Sequence, residues 1–457
     1  MLGIGFYTNK KSIKTSLDYL VAGRRLPWWL LVGTLAATEI GAGSTMGVTQ
    51  KAYGQWGLSS IWYIWTMSIS FIAIAIVAPR LRSSEVLTVP EFFLKKYGRI
   101  NHILTSIIMF LPLIGLTAVQ MIATATIFSA VTGIDYRISA LISCGVIVTY
   151  TVLGGMWSVS ITDFWQFILI LIGMGLAMPF VIIKAGGFTE IIAHVPPEKL
   201  SLFEGMGIGK IISLIIIYVS SWLIGQEVTQ RLYSAKDKAS VIKGSTVTAV
   251  FYFFFAFIPP LLGISIYALE HKGVIPSTII NNFSDMYVLP VLAMNVLPVI
   301  IAGLLFAGLI SATMSSASSD LLGAASIITN DLWFQYIKKN EADDRKKILI
   351  IRILAALIGV LSLAIAILKP EDIIKILMFS FSLRAAGCFI PYIAGHYWAK
   401  ITPLSTFLSL SCASILLVIL ELTNTTIFGL EPIIPSLAVS AIIIVFFSLK
   451  PFQKASL

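Results

Sequence analysis

The chain has 457 residues, 57% hydrophobic and 12% charged, with a formal net charge of +10 and a mean hydropathy of +0.92. Soluble domains are about 25% charged, so soluble enzyme, secreted factor and nucleic-acid binder are all excluded. Apolar runs of about 20 residues, each long enough to cross a hydrocarbon layer of roughly 30 Å, recur along the whole chain.

The first residues, Met1 to Tyr7 followed by Thr8-Asn9-Lys10-Lys11, read as the last turns of a helix rather than as a cleavable signal peptide. Twelve spans are then predicted, at 27–53, 55–79, 101–133, 136–155, 157–184, 207–227, 240–269, 298–331, 346–368, 370–397, 402–423 and 432–450. Pro196-Pro197 marks a loop, and Pro259-Pro260 is expected to kink the seventh span. Cys144, Cys388 and Cys412 lie in apolar runs without paired spacing, and His102, His194, His271 and His396 are scattered. Neither a disulfide framework, a zinc site nor a catalytic cluster is expected from them.

Basic residues set the orientation. With residues 1–26 on the cytoplasmic side, 22 of the 32 Lys and Arg residues, Arg231 among them, fall on that side and 7 on the other, with Arg352, Lys375 and Arg384 inside spans. Such a bias predicts cytoplasmic termini in a multi-pass plasma-membrane protein. The first ten spans divide into two sets of five, 27–184 and 207–397, separated by an external loop at 185–206 and followed by two peripheral helices and a short tail at 398–457. Five is odd, so the second set enters the membrane from the opposite side, as in inverted-repeat transporters.

Ionisable side chains at membrane depth cost at least about 2.5–3.5 kcal/mol on insertion scales, so Glu39, Asp163, Asp320 and Arg384 are the informative residues. Glu39 stands in Ala36-Ala37-Thr38-Glu39-Ile40-Gly41-Ala42-Gly43-Ser44, where two glycines weaken the helix. A break there frees carbonyls from Ala37 onward for a hard cation; the other reading is a tight helix crossing with Glu39 paired to Arg384. In the eighth span residues 312, 315, 316 and 319 share one face. Their hydroxyls suit a sodium ion, or else small-residue packing. Asp163 reads either as part of a second cation site beside Ser318 and Ser319 or as a helix cap at the membrane edge. Asp320 is expected to turn toward the cytoplasmic end of its helix.

Four stretches carry a family resemblance: Ser311–Asp331 (SATMSSASSDLLGAASIITND), Gly154-Gly155 through Thr162-Asp163 to Gln166, Gly225-Gln226 through Gln230-Arg231-Leu232, and Val21-Ala22-Gly23-Arg24. From about residue 4 to 400 the chain resembles the sodium:solute symporter family, which includes sodium-coupled carriers for glucose, proline, pantothenate, sialic acid and choline. The resemblance implies an all-α polytopic membrane protein with a 5+5 inverted-repeat, LeuT-like core and no enzymatic activity. It implies a first sodium site built from carbonyls of Ala37, Ile40 and Ala312 with the hydroxyls of Ser315 and Ser316. A second sodium is implied at Asp163, Ser318 and Ser319. It also makes residues 1–7 the tail of an additional N-terminal helix, lost or cut off by a late start.

The solute is expected between the interrupted first and sixth spans, against Thr38, Glu39, Ser44, Trp62, Trp65, Thr117, Gln120, Tyr218, Trp222, Phe379 and Arg384. The aromatics read equally as gate packing. The motifs are nearest to those of choline carriers, yet the tryptophans of that branch are replaced here by Glu39 and Gly225, so its aromatic cage is not reproduced. Glu39 suits an amine or supports the sodium site; Arg384 suits a carboxylate or neutralises Glu39. A small zwitterion satisfies both charges. The expected function is sodium-coupled import of an amino acid, amine or organic acid by a monomer or weak oligomer in the bilayer. Proton coupling through Glu39 or Asp163 is the alternative, and a sensor is disfavoured because only about seven residues follow the last span.

Overall fold

The computed structural model describes residues 3–4, 7–8, 12–82, 86–275, 288–337, 343–368, 373–427 and 430–449, and these are nearly all helical. Most of the expected helix tail at 1–7, and basic residues 10, 11, 338, 339, 369, 450 and 454, lie outside them. Long helices follow from uninterrupted apolar sequence, since in hydrocarbon every backbone polar group must be satisfied within its own segment.

The chain enters through Ser16–Val21, capped by a reciprocal Thr15–Asp18 box, and α1 runs Trp28–Glu39. Ile40 leaves the helical region (φ −80°, ψ 89°), and the span resumes at Gly43–Gly47 as a π-helical turn that continues into Val48–Lys51. Then come α2 (Ile61–Arg82), a surface helix Val89–Tyr97, and α3 (Arg99–Thr132). Asp135 caps α4, Tyr136–Ala185, by accepting from the Arg137 and Ile138 amides. Fifty straight residues would reach about 75 Å, more than twice the hydrocarbon layer. At Gly155 (φ 52°, ψ −155°) the helix breaks, at the boundary between the expected spans 136–155 and 157–184.

α5 (Ile208–Ile224) and α6 (Gln226–Ser234) are bent by 47° about Gly225. α7 (Lys238–Phe255) and α8 (Ile258–His271) form one span, broken just ahead of Pro259-Pro260 in the first turn of α8. α9 (Val299–Ile327), α10 (Asp344–Ile367), α11 (Ile373–Arg384), α12 (Ile390–Tyr397), α13 (Pro403–Leu422) and α14 (Ile433–Leu449) complete the bundle. Among the described residues 8 helices are long and apolar enough to span, 9 with the bent pair. The shortfall from twelve arises because α4 holds two spans, the second half of the first span runs on into α2, and α14 is a shorter apolar helix.

α9 is the axis. It lies against α3, α4 and α1, and every residue from Ser311 to Asp320 is buried. Its hydroxyls therefore face protein rather than acyl chains. On α10 the opposite pattern holds: Leu349, Ile353, Leu357, Val360 and Leu361 recur at helical spacing and are each more than half exposed. That stripe is a lipid-facing surface.

Candidate functional site

The break in the first span is built by side chains that take the place of helical acceptors. In a continuous helix the Gly41 and Ala42 amides would bond to the carbonyls of Ala37 and Thr38. Instead the Gly41 N–H donates to Ser44 Oγ (3.1 Å) and the Ala42 N–H to Gln120 Oε1 (2.9 Å). Both carbonyls are thus released from the helix ladder. A side chain at 41 would put its Cβ 2.7 Å from Gln120 and 2.8 Å from Ser316 Oγ, so glycine is required for α9 to come this close.

α9 supplies the other wall. The Ser316 hydroxyl donates to the freed Thr38 carbonyl (2.5 Å), with Ala312 O 3.1 Å away. Ser319 Oγ lies 3.1 Å from Thr38 Oγ1. Thr38 is therefore brought against Ser316 and Ser319 in one polar seam. Ser315 turns elsewhere: its hydroxyl donates to Asp163 Oδ1 (2.6 Å).

Asp163 is buried and tied on its other oxygen as well, by Thr34 Oγ1 (2.5 Å) and Arg231 Nη2 (3.0 Å). It is neither a cap nor at the membrane edge, because Gly155 starts its span well before it. Arg231, expected among the cytoplasmic basic residues, is instead 1% exposed. It bonds Thr34 Oγ1 (2.8 Å), the Glu227 carbonyl (2.7 Å) and Ser319 Oγ as well as Asp163. The bend at Gly225 turns α6 inward, which span hydropathy alone does not register. Ser318 and Ser319 both donate to the Ser315 carbonyl (2.9 and 2.7 Å).

Next to the seam is a small, partly open cavity. Of the predicted solute residues, Thr38, Glu39, Ser44, Gln120, Tyr218 and Trp222 line it. Trp62 and Trp65 do not: Trp62 donates to Leu202 O (3.0 Å) and Trp65 stacks on Phe253 at 5.7 Å. The lining face of α2 is instead that of Tyr63 and Met67, four residues apart. For the same reason Leu377 and Phe381 line the cavity and Phe379, on the far side of α11, does not. Thr117 bonds its own helix at Leu113 O (2.7 Å).

Arg384 is fully buried and does not pair with Glu39. Its Nη1 and Nη2 donate to Glu227 (2.8 and 2.6 Å) and its Nε to Ser221 Oγ (2.5 Å). Glu227, at the start of α6, lines the cavity and was missed in the sequence, although an acid at membrane depth was itself the signal. Asp320 also faces the cavity rather than the end of its helix.

Residues 19–412 match the sodium:solute symporter family. A sodium/proline symporter of Staphylococcus aureus (strain bovine RF122 / ET3-1) is 25% identical over 472 residues, covering 97% of this chain and 89% of that protein. That of strain JH9 matches to the same extent. A Na⁺-coupled sialic acid symporter, solved in a substrate-bound outward-open state, superposes with a TM-score of 0.81 over 100% of this chain and 96% of its own, at 20% identity. That likeness shows the fold. The chain belongs to the sodium:solute symporter family, and its activity is sodium-coupled solute symport.

Proposed function

We propose that the protein imports a small organic solute (an amino acid, amine or organic acid) by alternating access, with residues 1–26 and the C-terminus in the cytoplasm. Sodium binds first, at the carbonyls of Ala37, Ile40 and Ala312 and the hydroxyls of Ser316 and of Ser315, which exchanges its bond to Asp163 for the ion. The observation that carries this is the Ser316 hydroxyl meeting a carbonyl freed by the broken first span. A hydroxyl that donates there turns its lone pairs to an arriving cation, and the ion then pins α1 to α9. Solute enters the adjoining cavity, whose wall includes the same Ser316, so ion and solute stabilise one closed state. The broken helices at Ile40 and Gly225 support the division into inverted repeats at 27–184 and 207–397.

At Asp163, Ser318 and Ser319 the Arg231 guanidinium already compensates the carboxylate, which supports one coupling ion; a second requires Arg231 to leave. Each inward sodium contributes about 2.3 kcal/mol per 100 mV. Proton coupling remains the second reading, favoured by the Glu39 carboxylate, whose Oε1 is buried without a hydrogen-bond partner. Uptake into proteoliposomes at fixed pH, with and without a sodium gradient, separates the two. Ser316→Ala is expected to raise the sodium concentration for half-maximal uptake about tenfold or more, as loss of one oxygen ligand worth at least 1.4 kcal/mol would. Unchanged sodium dependence defeats the assignment.

A further inference from the structure

The charges around the cavity do not balance, and the imbalance names the chemistry of the solute. Three carboxylates line it, those of Glu39, Glu227 and Asp320. No lysine or arginine is among the lining residues. The nearest guanidinium, Arg384, places all three of its nitrogens on protein: two on Glu227 and one on Ser221. It is held for Glu227, and Gly225 keeps room for that pair, since a Cβ there would lie 2.5 Å from Glu227 Oε1 and 2.9 Å from Arg384 Nη2. Arg231 is likewise committed, to Asp163.

Glu39 and Asp320 are left over. Asp320 is 5% exposed and makes no side-chain hydrogen bond or ion pair with any described residue. Glu39 Oε1 is buried and has no hydrogen-bond partner among the described residues. Two carboxylates without an ion-pair partner among the described residues, facing one cavity, repel each other and are costly to desolvate. Sodium at the seam offsets one charge, and the other calls for a cation inside the cavity. The walls suit an organic one: Tyr218 stands edge-on to Tyr63 (5.3 Å) and Trp222 (5.2 Å) and is tilted against Phe381 (5.3 Å). Aromatic faces attract an ammonium, and the rings pack against its carbon substituents.

We propose that the solute is a small organic cation lacking a carboxylate, its ammonium held between Glu39 and Asp320. This rests on the symport reading and narrows it, and it replaces the zwitterion expected from the sequence, because both terminal nitrogens of Arg384 are already bonded to the Glu227 carboxylate, which neutralises its charge. A free carboxylate on the ligand would face Glu39 and Asp320 and find no lysine or arginine in the lining, only neutral donors such as the Tyr218 hydroxyl and the Trp222 indole N–H.

The test is a thermal-shift titration of the purified full chain with choline, ethanolamine and putrescine against proline, glycine betaine and acetate, in sodium and in potassium. At least one cation is expected to raise the melting midpoint in sodium, and none of the carboxylate-bearing compounds to do so. Glu39→Gln and Asp320→Asn are each expected to weaken the effective cation by about tenfold or more. Sodium alone should still raise the midpoint in both variants, which shows that they fold and that the ion site is intact. Stabilisation by a carboxylate-bearing compound, or by no cation, overturns the proposal while a sodium shift lost in Ser316→Ala leaves symport standing. Absence of any sodium effect on the unaltered protein removes both.

Discussion

The environment of single side chains separates residues that hold the protein together from those that handle its cargo. Asp163 and Arg231 are an internal ion pair, joined at 3.0 Å and buried to 0% and 1% exposure. Removing one member of such a pair leaves an uncompensated charge and costs about 3–5 kcal/mol. Asp163→Asn is therefore expected to lower the thermal midpoint sharply, and Arg231→Met added to it to recover much of the loss. A midpoint that stays put while sodium affinity falls would make Asp163 an ion ligand instead. The predicted second-sodium residues were legible as polar groups at depth. Their partner was not, because Arg231 read as one more basic flank.

Helix breaks are decided at the scale of elements. Gly41 and Gly43 mark the weak point of the first span in the sequence, but weakness alone does not hold a break open. Gln120, reaching from α3, does so by accepting from the Ala42 amide. Without it a buried N–H loses its acceptor at a cost of about 1–3 kcal/mol, and the freed Thr38 carbonyl becomes the alternative partner. Gln120→Leu is expected to weaken sodium binding several-fold, read as the sodium dependence of the thermal midpoint; an unchanged dependence means that the break stands without this support. On α2 and α11 the sequence pointed to the correct elements and the wrong faces. Trp62, Trp65 and Phe379 were chosen by residue type, whereas the lining pairs Tyr63 and Met67, and Leu377 and Phe381, follow the four-residue helical repeat. Which side of an all-apolar helix faces inward leaves no periodic mark, since lipid-facing and core-facing residues are equally hydrophobic.

For the whole molecule the coupling ratio is the quantity at stake. On the proposed reading, with Arg231 seated on Asp163, the charge moved per transport cycle is expected to be one sodium plus that of the solute. An organic cation carried with one sodium moves two positive charges. Reversal potentials in proteoliposomes under opposed sodium and solute gradients are expected to give that ratio, and a third charge per cycle would indicate a second ion and a displaced Arg231.

The sequence by itself determined that the chain is a membrane bundle of many spans, where its first span breaks, and that Ser316 of α9 meets that break, whereas Ser315, grouped with it by spacing, goes to Asp163. These are readable because insertion penalties, glycine placement and hydroxyl spacing act within one segment. Only the tertiary structure decided how the buried charges pair. Arg384 takes Glu227 and leaves Glu39 and Asp320 to the cavity, since pairing depends on which helices the fold brings within three ångströms. No spacing along the chain encodes that distance.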